Sequence, residues 1–165
     1  MTPRIPVIAY VLGLAGAIPF ILCAVAASSA GPRAVVGLLA LLAYGAVILS
    51  FVGAVHWGFA LSHETLEPAT ASLRRPSIAV RLAIGTVPAL IGWTAMLLAL
   101  LSLPEIGLVV LITGFTATVA TEARWSRIDL VPPGYMALRW MLSGIVVTTL
   151  VVVLALRLLG ATMVF

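Results

Sequence analysis

The chain consists of five long apolar stretches separated by short polar segments. A helix that rises 1.5 Å per residue needs about 20 apolar residues to cross a hydrocarbon core of about 30 Å. The pattern therefore predicts membrane helices over residues 6–28, 34–61, 78–102, 106–125 and 135–159. We predict an all-α, polytopic membrane protein, with residues 1–165 forming a single membrane domain built as a five-transmembrane-helix bundle.

Small residues recur at every fourth position of the second predicted helix, a spacing that lets membrane helices pack closely. They are Ala46, Ser50, Ala54, Gly58 and Ser62, here called the small-residue ladder. At 100° per residue, His56 falls on roughly the opposite face, together with Gly45, Leu49 and Gly53. We therefore expect neighbouring helices to approach the second helix on both faces, with the ladder and Gly53 as packing positions at the centre of the bundle.

The composition supports the membrane class, since 63% of the residues are hydrophobic and only 8% are charged. A soluble domain is roughly half apolar and a quarter charged. All nine basic residues are arginines, but they form no clustered basic face, so no nucleic-acid partner is predicted. The single cysteine, Cys23, excludes an intramolecular disulfide and a cysteine metal cluster, and it is expected to be an apolar packing residue.

The arginines predict the orientation of the chain. With five spans, seven arginines lie on the side of the N-terminus and two, Arg33 and Arg157, on the other. Positive residues prefer the cytoplasmic side, so we predict a cytoplasmic N-terminus and a C-terminus outside. The first apolar stretch exceeds the 7–15 apolar residues typical of a signal peptide, so we expect it to remain as a helix.

His56 is an ionisable residue inside a predicted span, and such residues are candidates for function because burying them is costly. It could be a metal or haem ligand or a proton-relay group. The favoured alternative is a structural role, in which a neutral imidazole is hydrogen-bonded to a carbonyl, hydroxyl or carboxylate of a neighbouring helix. The other histidine, His63, lies seven positions away, which matches no metal-ligand spacing. Both interpretations stay open at this stage.

The predicted topology brings further polar and aromatic residues to the depth of His56 on the cytoplasmic side, and Glu122 is the best candidate for its partner. This predicted polar layer has two interpretations: an interfacial belt of snorkelling arginines and paired carboxylates, or a binding site for an anionic headgroup, a quinone or a partner subunit. Its members are His56, Trp57, Glu64, Arg81, Glu122, Arg124, Trp125, Arg139 and Trp140.

Groups that carry out catalysis are not recognisable in the sequence. It has no paired carboxylates for acid–base chemistry, no nucleophile beside a base, no two-histidine metal helix and no phosphate-binding glycine loop. We therefore predict no catalytic residues and no metal ligands, and the sequence identifies no cofactor.

Four stretches resemble the domain-of-unknown-function 3429 family. They are LGLAGAIPF (12–20), YGAVILSFVGAVHWGFAL (44–61), PALIGW (88–93) and LRWMLSGIVV (138–147), of which GAVHWG is the most specific. The resemblance implies a small polytopic protein of bacterial inner membranes and mitochondria, and it implies no activity. It identifies Gly53, His56, Trp57 and Gly58 as the most characteristic residues.

Two functions remain in view. The first is a non-enzymatic role as an accessory or assembly subunit or as a homo-oligomer, favoured by the small-residue faces. The alternative is a binding protein for haem, a metal, a quinone or a lipid, in which His56 and the polar layer hold the ligand. A transporter is less favoured, because the outward half of the bundle is almost wholly apolar. The expected partners are the lipid bilayer and a membrane protein, and the expected location is the bacterial inner membrane or, alternatively, the mitochondrial inner membrane.

Overall fold

A computed structural model describes residues 6–64, 77–127 and 134–160, without the side chains of residues 62–64. Its described residues form five helices, all long and apolar enough to cross a membrane, which confirms the predicted all-helical, five-span chain. The orientation of these spans stays a prediction. The helices are α1 (Val7–Ala27), α2 (Pro32–Glu64), α3 (Ile78–Leu100), α4 (Pro104–Ser126) and α5 (Tyr135–Leu158).

Two helices begin earlier than the apolar pattern indicates. α2 begins at Pro32 instead of residue 34, and it ends at Glu64 instead of residue 61. α4 begins at Pro104 instead of residue 106. Proline is favoured in the first turn because its missing N–H would have no partner inside the helix there, and its fixed φ suits the helix. A hydropathy pattern contains no information about this preference, so it does not predict that a helix begins at proline.

The five helices form a ring in which each helix contacts the next and α5 contacts α1. Inside this ring α2 also contacts α4. α2 thus shares the centre of the bundle with α4. The contact between them divides the interior into a compartment on the side of α3 and another on the side of α1 and α5.

α2 and α3 pack at very short range because glycines lie at their crossing. A Cβ atom added to Gly53 would lie less than 3.0 Å from the carbonyl oxygen of Gly85, and one added to Gly92 would meet the backbone of Ala46. Close backbone approach at small residues is how membrane helices gain packing energy in a solvent as apolar as their own side chains. This contact fixes the position of the C-terminal part of α2, which carries His56.

The apolar core lies between α2 and α4 in the half of the bundle away from His56. Phe20 of α1 closes it, with its ring edge-on to Tyr44 and Phe115 at centroid distances of 5.0 and 6.1 Å. The leucines that are completely buried there are Leu41, Leu42, Leu49, Leu108, Leu111 and Leu150.

α4 is the least hydrophobic of the five helices, because it contains several threonines. Each of these hydroxyls donates to the carbonyl oxygen four residues earlier, at 2.7–2.9 Å. A hydroxyl that is paired inside its own helix can lie in hydrocarbon without an unsatisfied donor. The four residues are Thr113, Thr116, Thr118 and Thr121.

Candidate functional site: a buried polar cluster between two clefts

Glu122 is completely buried at 0% exposure, four residues before the end of α4. A charged group buried without partners is strongly disfavoured, so its surroundings determine whether it can be accommodated. Two helices supply these surroundings, α5 with Arg139 and α2 with His56. We call these three residues the buried cluster.

Arg139 contacts the carboxylate from α5. Its Nε donates to Oε2 of Glu122 at 2.5 Å, and its Nη1 donates to the hydroxyl oxygen of Ser143 at 3.0 Å. Arg139 and Ser143 are four residues apart on α5, so their side chains lie on the same face of the helix. The third guanidinium nitrogen, Nη2, is buried and forms no hydrogen bond with the described residues.

His56 approaches the other carboxylate oxygen from α2. Its Nε2 lies 3.3 Å from Oε1 of Glu122, within ion-pair distance, but the two groups are not aligned for a hydrogen bond. Both ring nitrogens of His56 lack a hydrogen-bond partner among the described residues, although the side chain is only 2% exposed. An unsatisfied buried polar group costs about 1–3 kcal/mol, and native proteins contain few of them.

Aromatic side chains cover the buried cluster on the side of the helix ends. The ring of Trp125 lies edge-on to His56 at a centroid distance of 5.0 Å, and Phe59 lies at 6.3 Å. Tyr135 extends this cover by packing on Phe59 at 5.4 Å. Each of these three residues is nearer to its helix end than the cluster residue of the same helix. The cover therefore separates the cluster from the nearby surface of the bundle.

The buried cluster lies between two clefts, one on each side of the α2–α4 contact. The His56 cleft has a volume of about 190 Å³, and apolar residues of α3 and α4 form most of its walls, including Ile84, Val87, Pro88 and Ala117. The Arg139 cleft has a volume of about 220 Å³ between α1, α2 and α5. Arg139 and Ser143 line it together with apolar residues that include Leu12, Phe20, Phe51 and Phe115.

Both clefts open on the outer surface of the bundle. Val87 and Ala117 at the His56 cleft are exposed, as are Leu12 and Phe51 at the Arg139 cleft. In a membrane-spanning bundle these outer apolar surfaces face lipid. Each of the two clefts beside the buried cluster therefore opens on an outer apolar surface of the bundle.

The structure brings together four of the predicted layer residues: His56, Glu122 and Arg139 form the buried cluster, and Trp125 packs edge-on against His56. Arg81 is buried near the start of α3. Trp57 is 45% exposed, and its indole Nε1 donates to the carbonyl oxygen of Leu82 at 3.0 Å, so it contributes to α2–α3 packing. Arg124 and Trp140 are exposed. The side chains of His63 and Glu64 lie outside the described residues.

The small-residue ladder is divided between two environments. Ala46 packs against Gly92 of α3, and the hydroxyl of Ser50 donates to the carbonyl oxygen of Ala46 at 2.7 Å. Ala54 and Gly58 are exposed on the outer surface, and a Cβ added to Gly58 would meet no described atom of a neighbouring element within 4 Å. The last residue of the ladder, Ser62, has a side chain outside the described set.

Sequence reasoning missed Ser143, whose hydroxyl oxygen accepts a hydrogen bond from the guanidinium of Arg139. The signal was the four-residue spacing of Arg139 and Ser143 on one helix. It also missed Gly85 and Gly92, the glycines of α3 against which α2 packs closely. Among the residues that the structure describes, no three His, Cys, Asp or Glu side chains are grouped so that they could hold a metal ion.

The chain is similar to a family of proteins of unknown function and to a named transmembrane protein. The family described as "Protein of unknown function (DUF3429)" matches residues 5–155. Transmembrane protein 69 of Xenopus tropicalis is 42% identical over 86 residues, which is 52% of this chain and 31% of the relative. The match thus spans about a third of the length of that relative, and no solved structure matches the chain significantly. The match over residues 5–155 covers nearly the whole chain, which belongs to the DUF3429 family of membrane proteins of unknown function.

Proposed function

We propose that this protein binds a lipophilic organic molecule in the His56 cleft, with the imidazole of His56 contacting the polar group of the ligand. One observation carries the proposal. His56 is buried and lines the cleft, yet neither ring nitrogen has a hydrogen-bond partner among the described residues. A polar group on a ligand would give the imidazole the hydrogen bond that its contact with Glu122 does not provide, and the ligand's apolar part would pack on the cleft walls.

The route to His56 favours a ligand that is dissolved in the bilayer. The aromatic cover of Phe59, Trp125 and Tyr135 lies between the buried cluster and the helix ends. The cleft opens instead past Val87 and Ala117, which are exposed on the surface that faces lipid. A molecule of the membrane phase would enter laterally between α3 and α4.

The His56→Leu variant separates binding from a purely structural role. Because His56 forms no hydrogen bond with the described residues and Glu122 keeps its ion pair with Arg139, we expect its replacement by leucine to lower stability by only about 1 kcal/mol. We expect the bound molecule to be lost. The measurement is purification from native membranes, followed by mass spectrometry of bound small molecules and a thermal melt in detergent. A strong loss of stability with the molecule retained would contradict the proposal.

A blocking variant tests the cleft itself. Ala117→Leu adds a larger side chain at the wall of the His56 cleft, whereas Ala83→Leu adds the same side chain at an exposed position of α3 away from the lining. We expect the first variant to reduce the bound molecule at least tenfold, and the second to retain it. Equal retention by both variants would exclude the cleft as the site.

A second candidate function, association with another membrane protein or with a second copy, is favoured by two exposed residues of the small-residue ladder. Ala54 and Gly58 are exposed within the part of the chain that the structure describes, and small residues at this spacing suit a close helix–helix contact. Gly58→Leu should then abolish a complex that Gly144→Leu preserves, since both glycines have open space around them. Native mass spectrometry of the purified protein measures this; a monomeric wild-type protein without companions would contradict it.

We also propose a location in the bacterial inner membrane, with the N-terminus in the cytoplasm and the C-terminus outside. The support is the unequal distribution of arginines, seven on the side of the N-terminus and two on the other. Reporter fusions at both ends test the orientation, and a cytoplasmic C-terminus would contradict it.

A further inference from the structure

We infer that the Arg139 cleft is a second ligand site, selective for a neutral molecule with a carbonyl oxygen on an apolar body. This site lies on the opposite side of the α2–α4 contact from the His56 cleft. It therefore does not depend on the function proposed above. Its chemistry follows from the donors that Arg139 and Ser143 still have available.

One guanidinium nitrogen of Arg139, Nη2, takes no part in the two hydrogen bonds that Arg139 forms with the described residues. Nε is taken by Glu122 and Nη1 by Ser143, whereas Nη2 is buried and has no partner among the described residues. The hydroxyl of Ser143 accepts from Arg139, so its own hydrogen stays available for donation. Both residues line the Arg139 cleft. The site thus offers donors to a ligand oxygen.

The positive charge of Arg139 already has its counter-ion in Glu122. A ligand carboxylate would bring a second negative charge to the same guanidinium, and like charges at short distance repel strongly in a medium of low dielectric constant. A neutral carbonyl oxygen accepts the same hydrogen bonds without this repulsion. The arrangement therefore favours a neutral acceptor over an anion.

The remaining walls favour an apolar body. Apart from Arg139 and Ser143, the lining consists of aliphatic and aromatic side chains and glycines, among them Phe20, Phe51 and Phe115. The volume of about 220 Å³ accommodates a ring or a short length of acyl chain, and the exposed Leu12 marks the opening towards lipid. Two membrane molecules share this chemistry: an isoprenoid quinone and a neutral glycerol ester.

The test compares three probes with the same chain length: a ubiquinone analogue with a decyl tail, monodecanoyl glycerol and decanoate. Binding of each probe to the full-length protein in detergent is measured by native mass spectrometry over a range of concentrations. We expect at least one neutral carbonyl probe to bind at least tenfold more tightly than decanoate. The tighter of the two neutral probes identifies the source as quinone or ester lipid.

Two glycines provide a matched pair of variants. Gly16 lines the Arg139 cleft and Gly144 does not, and a Cβ at either position would meet no described atom from elsewhere in the bundle within 4 Å. Gly16→Leu should fill the cleft and weaken binding at least tenfold, whereas Gly144→Leu should leave binding unchanged. Ser143→Ala removes one donor and should weaken binding about fivefold, the effect of one ordinary hydrogen bond.

Three results would overturn the inference: tightest binding by decanoate, equal binding of the neutral probes to the wild type and Gly16→Leu, or equal losses in Gly16→Leu and Gly144→Leu. Should Gly16→Leu fail to fold, Ser143→Ala decides, because unchanged binding in that variant overturns the inference as well. Loss of a native ligand in His56→Leu with no neutral probe bound would leave the proposed function in place and reject this second site. Binding of a neutral probe in the Arg139 cleft, together with a native ligand that His56→Leu retains, would reject the proposed function and leave this second site in place.

Discussion

α4 and α5 are joined by a glutamate–arginine pair at each end of their interface, and the two pairs differ in their surroundings. Glu122 and Arg139 are buried, with Glu122 at 0% exposure. At the opposite end, Glu105 accepts from Arg157 at 2.8 Å, and these side chains are 36% and 30% exposed. The same two residue types therefore connect the same two helices in two environments.

The exposed pair is explained by the helices themselves. Glu105 lies in the first turn of α4 and Arg157 in the last turn of α5, where helix dipoles favour an acidic and a basic residue respectively. The buried pair has the reverse arrangement, because Glu122 is near the end of α4 and Arg139 near the start of α5. Helix electrostatics therefore does not account for the buried pair, which is also the pair that adjoins the two clefts.

The largest difference between the pairs should appear when one carboxylate is removed. Glu122→Ala leaves Arg139 buried without its counter-ion, which we expect to lower the free energy of unfolding by about 3–5 kcal/mol. Glu105→Ala should lower it by about 1 kcal/mol or less, since water and headgroups can solvate Arg157. Equilibrium unfolding in mixed micelles measures both values. Equal losses would show that burial does not distinguish the two pairs.

A double-mutant cycle compares the coupling energies of the two glutamate–arginine pairs, and the expected difference is smaller than that of the alanine variants. The variants are Glu122→Gln, Arg139→Gln and their combination, with the equivalent set at Glu105 and Arg157. We expect a coupling energy of roughly 2–3 kcal/mol for the buried pair and about 0.5 kcal/mol for the exposed pair. A buried pair with no coupling would mean that Glu122 is held mainly by other groups.

The smallest expected effect is the salt dependence of the exposed pair. Glu105→Gln should cost about 0.5 kcal/mol at low salt and nothing measurable at about 1 M salt, where the screening length falls to about 3 Å. Glu122→Gln should keep its full effect at both salt concentrations, because its partner is buried with it. The measurement is the same unfolding titration at two ionic strengths. A salt-sensitive effect at Glu122 would show that water reaches the buried cluster.

The depth of the buried cluster could be predicted from sequence, since helix lengths and topology fix depth. Counting spans places His56, Glu122 and Arg139 near the same end of the bundle, and the structure brings these three together. Trp57 has the same depth but lies apart, with its indole bonded to Leu82. Depth does not specify rotation about a helix axis, and rotation decides which side chains meet.

The two clefts could not be predicted from the sequence. They depend on how tightly neighbouring helices approach, and that distance varies along each interface. Gly53 and Gly85 bring α2 and α3 into backbone contact, whereas α3 and α4 leave space beside His56. The spacing of small residues on α2 indicates that close contact occurs, but not which partner residues it meets.

The sequence by itself determined the class of protein, the number of membrane helices and the depth of the polar residues, because hydrophobic length must match the thickness of the bilayer. Only the tertiary structure decided that Glu122 lies between Arg139 and His56, that Ala54 and Gly58 of the small-residue ladder face outwards, and that His56 and Arg139 each line a cleft. The physical reason is that lipid and buried helix faces are almost equally apolar. Hydropathy therefore carries little information about which face of a helix packs inside the bundle.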